Sequence, residues 1–338
     1  MINELKKLCL LDGVSGNEKD VRDYIISRIS GKCEYSVDAL GNVIAFVKGK
    51  KESDKKLMIS AHMDEVGFIV TYINDDGTLC FSPVGGVDER VVFGRKVRLS
   101  SGIYGVVGGK ALHNLSDDEK GKAPGFDKMV IDIGVSSKQE AQSVVSLGDY
   151  VSYVSEFTEL GKDKVKCKAI DDRAGCAIML RLIDEGVEYD TYFTFVVQEE
   201  VGLRGATCAA YSVNPDFAIV LESTTAADIP SASDSDRVCE LSCGPVVSYM
   251  DNRTMYDREL YKLAFELAED NGIPCQTKTR VAGGNDAGAI QTACGGVRVC
   301  AISLPCRYLH SESCVISKQD FENSYKLTKL LSDRIFSL

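Results

Sequence analysis

The chain has 338 residues, with 39 Lys and Arg against 50 Asp and Glu, giving a formal net charge of −11. Hydrophobic residues make up 44% and charged residues 26%, a globular balance that excludes a disordered chain and allows one large domain or two ordinary ones. The acidic surplus argues against a nucleic-acid or anionic-membrane binder, because such proteins need positive charge to neutralise phosphates.

The N-terminus and the cysteine pattern indicate a cytoplasmic protein. The apolar run Leu8 to Leu11 is shorter than the ~7–15 residues of a secretory signal, and no run approaches the ~20 residues that span a bilayer. Thirteen cysteines without a CxxC pair are expected to be reduced thiols used as small core residues. Cys239 and Cys243 lie four apart, but no second pair supports a zinc site.

The first part of the chain predicts two helices and two strands. One helix runs from Ile2 to about Leu11 and ends before the glycine-containing segment Gly13 to Asn17. Asn17 is a candidate cap for the second helix, with Val21, Tyr24 and Ile25 on its apolar face. Strands are expected from Asn42 to Val47 and from Leu57 to Ser60.

From about Gly67 to Val165 the pattern becomes rich in strands and glycines. Two hairpins are predicted, one of Phe68–Ile73 with Thr78–Val84 and one of Val97–Leu99 with Ile103–Val107. The first long helix of this block is expected only at Ser136 to Ser146. The block predicts a small barrel or sandwich.

After this block the alternation of helices and strands resumes. The predicted elements are a helix Asp172–Glu185, strands Thr191–Val197 and Phe217–Leu221, a helix ending at Gly272, a strand Val297–Ile302 and a last helix from Ser317. We therefore expect an α/β domain of residues 1–66 and 166–338, split in sequence by an inserted β-rich domain of residues 67–165.

Metal-capable residues follow the predicted buried strands, where open α/β sheets place their sites. His62 and Asp64 follow the strand Leu57–Ser60, and in an extended segment both point to the same side. Asp64 could accept the second ring N–H of a ligating His62 and set its tautomer. Asp171 and Asp172 lie at a strand-to-helix junction, where capping of the helix by acidic side chains is the alternative interpretation.

Three further positions repeat the pattern. Glu199 and Glu200 follow a strongly apolar strand, Glu222 closes another, and His310 follows a third. Each is unremarkable alone, since solvated acids are common in turns, but five such strand ends in one chain are unlikely to be coincidence. Two histidines, three carboxylates and one spare glutamate suit two zinc- or cobalt-type ions that share a carboxylate.

At these residues the sequence resembles the aminopeptidases of metallopeptidase family forty-two, the glutamyl and deblocking aminopeptidases that include the tetrahedral TET complexes. The matching stretches are, in chain order, GVSGNE at 13–18, SAHMDEVGF at 60–68, AIDDRAGCA at 169–177, QEEVGLRGA at 198–206, GGNDAGAIQ at 283–291 and CRYLHS at 306–311. The resemblance runs nearly the whole length of the chain.

The resemblance implies a fold and a set of residue roles. The fold is a mixed-sheet, zinc-peptidase-like α/β catalytic domain with an inserted barrel-like dimerisation domain. Asp171 bridges two divalent ions, His62 and Glu222 complete one site, Glu200 and His310 complete the other, and Glu199 is the general base. Zinc, cobalt and manganese all suit these ligands. Homodimers that assemble into a dodecamer are the implied oligomer.

The predicted function is hydrolysis of N-terminal residues from short peptides through a metal-bridging water and Glu199, with Asp64 as a further catalytic-site residue. The alternatives are a deacylase or dipeptidase with the same ligands, an endoglucanase like some named relatives, and a catalytically silent scaffold. The absence of Trp argues against the endoglucanase, because sugar sites use aromatic platforms. Three features stay open: His113, Arg204, and the loop Gly283 to Asp286, which is a substrate-pocket loop by resemblance or an ordinary turn.

Overall fold

The structure is a computed structural model that describes residues 1–229, 233 and 236–338. Helices in the described residues are α1 Ile2–Leu10, α2 Lys19–Ile29, α3 Lys138–Gln142, α4 Ile170–Glu185, α5 Arg204–Val213, α6 Arg258–Asp270, α7 Ala287–Gln291 and α8 Lys318–Arg334. No helix in this part of the chain is both long and apolar enough to span a bilayer.

The strands divide between three sheets. They are β1 Glu34–Val37, β2 Val43–Val47, β3 Leu57–His62, β4 Gly67–Ile73, β5 Leu79–Val84, β6 Lys96–Leu99, β7 Tyr104–Gly109, β8 Met129–Asp132, β9 Tyr150–Tyr153, β10 Thr158–Leu160, β11 Lys164–Cys167, β12 Thr191–Val196, β13 Phe217–Thr225, β14 Val246–Val247, β15 Gln276–Thr277, β16 Arg298–Cys306 and β17 Cys314–Ser317.

An eight-stranded mixed sheet forms the centre of the α/β part, in the order β1-β2-β12-β3-β13-β16-β14-β15. The four neighbours β12, β3, β13 and β16 are parallel, so their carboxyl ends share one edge. Strand residues alternate between two cores because successive side chains point to opposite faces. Ile59 and Ile219 pack on the face covered by α1, α2, α4, α6 and α8, whereas Met58 and Val220 pack on the face covered by α5 and α7.

A closed barrel of antiparallel strands in the order β4-β5-β8-β7-β6-β9 forms a second body. Its core is aromatic at one end, where Phe68 makes edge-on ring contacts with Phe81 and Tyr153 at 5.1 and 5.3 Å. The prediction of a mixed α/β fold with a barrel-like insert is confirmed. Full closure also leaves this small sheet without free edges.

The third sheet joins the two bodies. Its order is β10-β11-β17, so strands that follow the barrel pair with a strand near the C-terminus. The barrel strands lie within residues 67–153, and the expected boundary at residue 165 falls inside β11. The division into domains at residues 67 and 165 therefore stays a prediction. The chain returns to the α/β part before residue 165.

Several local expectations need correction. Helix α3 covers five residues instead of the expected Ser136 to Ser146, because the chain turns at Ser143. Helix α2 starts after Glu18, and Asn17 is not its cap. Strand β13 continues to Thr225, four residues past the predicted end at Leu221, because it pairs with β16 along its whole length.

A buried charge network fixes the start of α4 against the N-terminal segment. Arg173 is fully buried and donates through Nε to the Met63 carbonyl at 2.6 Å and through Nη1 to the Leu8 carbonyl at 2.7 Å. Its Nη2 lies 3.8 Å from Glu65, which also pairs with Lys168 at 2.6 Å. One guanidinium thus joins α1, the segment after β3, and α4.

We expect Arg173→Met to lower the free energy of unfolding by ~3–5 kcal/mol, because it leaves two buried carbonyls without a donor and removes one counter-charge of Glu65. Chemical denaturation at fixed metal content measures this change. Arg258→Met, at the exposed start of α6, is the matched control and should stay within about 0.5 kcal/mol. Equal stability of the two variants would show that the Arg173 network does not stabilise the fold.

Candidate metal centre

The shared carboxyl edge of the parallel strands brings the predicted ligands together. His62 is the last residue of β3, Glu222 lies within β13, and Glu199 and Glu200 follow β12. The connection after β16 supplies His310. Asp171 and Asp172 depart from helical geometry at the start of α4, with ψ of 108° and 45°, and are joined by a cis peptide bond.

Asp171 lies between the two histidines. Its Oδ1 is 3.5 Å from His62 Nε2, and its Oδ2 is 3.5 Å from His310 Nε2. His62 Nε2 also lies 3.8 Å from Glu222, and His310 Nε2 lies 3.3 Å from Glu200. The donor atoms form three overlapping groups: His62, Asp171 and Glu222; Asp171, Glu200 and His310; and His62, Glu199 and Glu200. The first two of these groups share the Asp171 carboxylate.

These separations fit coordinated ions. Ligands about 2.0–2.1 Å from a tetrahedral ion lie about 3.3–3.4 Å from each other. His62 Nε2 and Glu222 Oε1 are buried and have no hydrogen-bond partner in the described residues. Since buried polar atoms almost always have partners, two such atoms without a partner fit a site for a cation.

Both imidazoles are oriented by backbone carbonyls. His62 Nδ1 lies 3.1 Å from the Asp64 carbonyl, and His310 Nδ1 lies 2.7 Å from the Gly86 carbonyl. Donation of Nδ1–H to a carbonyl leaves each Nε2 free as a ligand. Gly86 follows barrel strand β5, so the inserted barrel orients one of the two histidines.

Asp64 has a different set of contacts from the one expected. Its carboxylate is 3.5 Å from His62 Nδ1, farther than its own carbonyl, and it accepts shorter bonds elsewhere. Asp64 Oδ1 accepts from the Glu199 amide at 3.0 Å, and Oδ2 accepts from the Glu200 amide at 3.1 Å and from the Ser15 hydroxyl at 2.5 Å. Asp64 thus orients the two glutamates at least as directly as it orients His62.

The turn that carries Glu199 and Glu200 is also fixed by the N-terminal segment of the chain. Glu18 accepts hydrogen bonds from the amides of Gly16 at 2.7 Å and Gln198 at 3.2 Å. Together with Asp64, it gives three successive amides, those of residues 198, 199 and 200, a carboxylate partner. This explains how Gln198 keeps a left-handed φ of 57° and how Glu199 and Glu200 reach the centre.

The cluster contains more carboxylates than imidazoles, so its negative charges are not balanced. Burial raises the pKa of Glu200 to about 7 and the pKa of Glu222 well above its usual range, with the Asp171 carboxylate adding to both. Burial opposes the charge on His310, yet Asp171 and Glu200 raise the pKa of that imidazole to about 10. Protons or metal ions are needed to stabilise so many buried carboxylates.

Two further buried acids lie beside the centre. Asp172, for which the sequence left helix capping open, accepts through Oδ1 from the Gly175 amide at 2.9 Å, as a capping acid does. Asp286 is fully buried, and neither of its oxygens has a hydrogen-bond partner in the described residues. Burial, with the charges of Asp64 and Asp171, raises the pKa of Asp286 to about 7. No strand ends at Asp286, so the pattern that found the other acids could not find it.

The remaining candidates lie outside the centre. His113 is exposed in a short 3-10 turn of the barrel, and Arg204 is exposed and donates to the Gln198 side chain at 3.3 Å. All thirteen cysteines are free, including Cys239 and Cys243. By contrast, Gly283, Gly284 and Asn285 line an open cleft of about 780 Å³, whose lining also includes Asp171, Glu199, Glu200 and Glu222.

The chain is similar to known proteins over most of its length. Residues 41–327 match the family model described as M42 glutamyl aminopeptidase. The chain is 33% identical to the lysyl aminopeptidase of Pyrococcus furiosus over 98% of its own length and 96% of that protein.

Two solved structures are similar over 98% of this chain. The TET1 peptidase of Pyrococcus horikoshii, described as assembling into a tetrahedron or a large octahedral shell, is 35% identical with a TM-score of 0.86 and 98% of its chain covered. A Thermotoga maritima structure named an endoglucanase is 38% identical with a TM-score of 0.81 and 97% of its chain covered.

Proposed function

Because the chain belongs to the M42 glutamyl aminopeptidase family and is thus a peptide hydrolase of the aminopeptidase class, we propose that it removes N-terminal residues from short peptides with two divalent ions and Glu199 as general base. The observation that carries this proposal is the position of Asp171. Its two oxygens face His62 and His310, which is the arrangement a carboxylate shared by two ions requires.

M42 peptidases depend on metal, and the two donor groups that share Asp171 suit that dependence. In our proposal His62, Asp171 and Glu222 hold one ion, and Asp171, Glu200 and His310 hold the other. Zinc and cobalt suit these nitrogen and oxygen ligands best, and manganese also suits them. When bound, such ions supply Lewis acidity, which polarises a carbonyl and acidifies water.

Glu199 is the base in this proposal because it borders the centre without being one of the ligands assigned to the two ions. It takes a proton from the attacking water, the water oxygen bonds to the scissile carbonyl carbon, and the C–N bond breaks as Glu199 returns the proton to the leaving amine. Burial raises the pKa of Glu199 well above its usual range, which favours proton uptake. Asp64 keeps the Glu199 amide in place.

The alternatives differ in how much support they have. A deacylase or dipeptidase would use the same centre, so substrate assays separate it from an aminopeptidase. A glycosidase needs two carboxyl groups about 5–9.5 Å apart on either side of a sugar, whereas the carboxylates here share histidine partners within 4.8 Å and the chain has no Trp. A silent scaffold would have little reason to keep a complete donor set.

The chain is proposed to form homodimers through the barrel, as a step toward a dodecamer. The barrel exposes large apolar side chains, with Tyr104 at 50%, Val106 at 49% and Leu112 at 75% of their surface. Tyr104 and Val106 are two residues apart on β7, so their side chains share one face of the barrel, and apolar patches on a surface mark association sites. The assembly described for the TET1 peptidase is consistent with such contacts. The cytoplasmic location stays a prediction from the sequence.

We expect His62→Ala and His310→Ala each to lower the bound metal from two ions per chain to one or fewer, because each removes the only imidazole of its group. Elemental analysis after dialysis against zinc or cobalt counts the ions. His113→Ala is the matched control and should keep two. Full occupancy in either variant would remove that histidine from the ligand set.

We expect Glu199→Gln to keep both ions and to lower kcat by ~10²–10⁴, because the amide cannot accept the proton. Hydrolysis of aminoacyl anilides, after chelation and return of each metal, measures the loss. Glu200→Gln is the contrasting variant, since it should lose metal as well as activity. If Glu199→Gln with full metal turned over at the native rate, another group would have to be the base.

We expect Val106→Asp to dissociate the proposed dimer, because a charge buried in an apolar contact is unfavourable. Sedimentation velocity measures the particle size. Tyr35→Asp, on the edge strand of the central sheet, is the control for adding the same charge outside the barrel. Dissociation by Tyr35→Asp and not by Val106→Asp would place the contact outside the barrel.

A further inference from the structure

The carboxylate of Glu199 depends on its own backbone for its position. Among the described residues, no group donates a hydrogen bond to this carboxylate. The neighbouring Glu200 differs, because its carboxylate lies 3.3 Å from His310 Nε2 and in our proposal also binds an ion. A general base has to stay within hydrogen-bond reach of the proton that it takes. The turn that carries Glu199 must therefore be fixed through its main chain.

Four successive amides of this turn are bound by side-chain oxygens from three separate segments. The Val197 amide donates to Asn42 Oδ1 at 2.9 Å, and the Gln198 amide donates to Glu18 Oε1 at 3.2 Å. The amides of residues 199 and 200 donate to the two oxygens of Asp64. Gln198 has a left-handed φ of 57°, which is unfavourable for a residue with a side chain, so the turn depends on these contacts.

Glu18 is placed for this contact by the helix that it begins. Its carbonyl accepts the Arg22 amide at 2.9 Å, yet among the described residues its side chain accepts no amide of helix α2. An acid at the start of a helix commonly interacts with the free amides of that helix. The Glu18 carboxylate instead accepts the Gly16 amide at 2.7 Å and the Gln198 amide. It therefore serves the turn and not its own helix.

The segment that carries Glu18 is anchored to both bodies of the fold. Gly16 has a left-handed φ of 91°, and a Cβ atom there would lie 2.6 Å from Tyr150 Oη of barrel strand β9. The Gly13 amide donates to Glu65 Oε1 at 3.0 Å. Glu18 itself is buried, with 6% of its surface exposed. Because the segment is held at these points, loss of the Glu18 acceptor should release the turn and leave the segment in place.

We propose that Glu18 is a positioning residue for the general base: by accepting the Gln198 amide, it holds the backbone of Glu199 where the Glu199 carboxylate reaches the attacking water. This inference rests on the proposed function. Glu200 depends less on this contact, because its carboxylate is a proposed metal ligand and has His310 as a neighbour. Glu18 therefore acts on proton transfer and not on metal binding.

Substitutions of Glu18 separate its acceptor oxygen from its other properties. Glu18→Gln keeps an oxygen for the Gln198 amide, and burial raises the pKa of Glu18 to about 7, so a neutral group is tolerated at this position. Glu18→Met fills a similar volume without such an acceptor, and Glu18→Asp keeps the charge but withdraws the acceptor by one methylene.

The metal-loaded full chain is assayed with an aminoacyl anilide. We expect Glu18→Met and Glu18→Asp to lower kcat ~10–100-fold, with two ions retained and KM within about twofold, as a displaced base predicts. Glu18→Gln should keep kcat within about threefold of the native value, because it preserves the hydrogen bond.

The same substitution in the Glu199→Gln background tests whether Glu18 acts through the base. Glu18→Met should lower the residual kcat of Glu199→Gln by less than about twofold, since no base remains to be displaced. Glu4→Met is the matched control: Glu4 also lies in the N-terminal region and accepts from the Tyr24 hydroxyl at 2.6 Å, and its loss should leave kcat unchanged. Elemental analysis and thermal unfolding check the metal content and folding of each variant.

The outcomes separate this inference from the proposed function. Several results would each overturn the positioning role and leave the aminopeptidase assignment intact: a native kcat or loss of metal in Glu18→Met, an equal loss of kcat in Glu18→Gln or Glu4→Met, or equal losses from Glu18→Met in the native and Glu199→Gln backgrounds. A native kcat in Glu199→Gln with two ions bound would overturn the base assignment and this inference with it.

Discussion

The burial of several carboxylates next to two imidazoles is the constraint on which this structure depends. Asp171, Glu200 and Glu222 lie at one edge of the central sheet with little solvent to stabilise their charges. Burying unpaired charge costs several kcal/mol per group, so this edge is stable only with cations or protons between the acids. The electrostatics of this edge is consistent with the metal dependence of M42 peptidases.

The rest of the fold supports that edge. The parallel order β12-β3-β13-β16 brings distant segments to the same place, and buried hydrogen bonds then fix the donors. Asp64 holds the amides of Glu199 and Glu200, while the carbonyls of Asp64 and Gly86 set the two imidazoles. Because Gly86 belongs to the segment after a barrel strand, the inserted barrel takes part in the centre as well as in the proposed assembly.

Charged side chains also line the cleft beside this cluster of carboxylates. The lining of the cleft includes the carboxylates Asp171, Glu199, Glu200 and Glu222 as well as the cations Arg253 and Lys278. The Tyr256 hydroxyl connects Asp251 with Asn285, which lie on two separate loops beside the cleft.

The sequence by itself predicted the strand–helix alternation and a β-rich insert. It also identified His62, Glu199, Glu200, Glu222 and His310 as polar residues at or next to the ends of apolar runs. It could do so because buried strands have a recognisable periodicity and parallel strands end at a common edge. It could not separate Asp171 from Asp172 without a family resemblance, since adjacent carboxylates look alike until the irregular start of α4 turns one toward the histidines.

Tertiary structure alone decided the contacts of Asp64 with the amides of the glutamates, the buried position of Asp286, and the presence of Arg253 and Lys278 in one cleft. These residues lie in loops, where no periodicity shows which side chains converge. Their neighbours are set by long-range hydrogen bonds between segments far apart in the chain, and only the folded molecule brings those segments together.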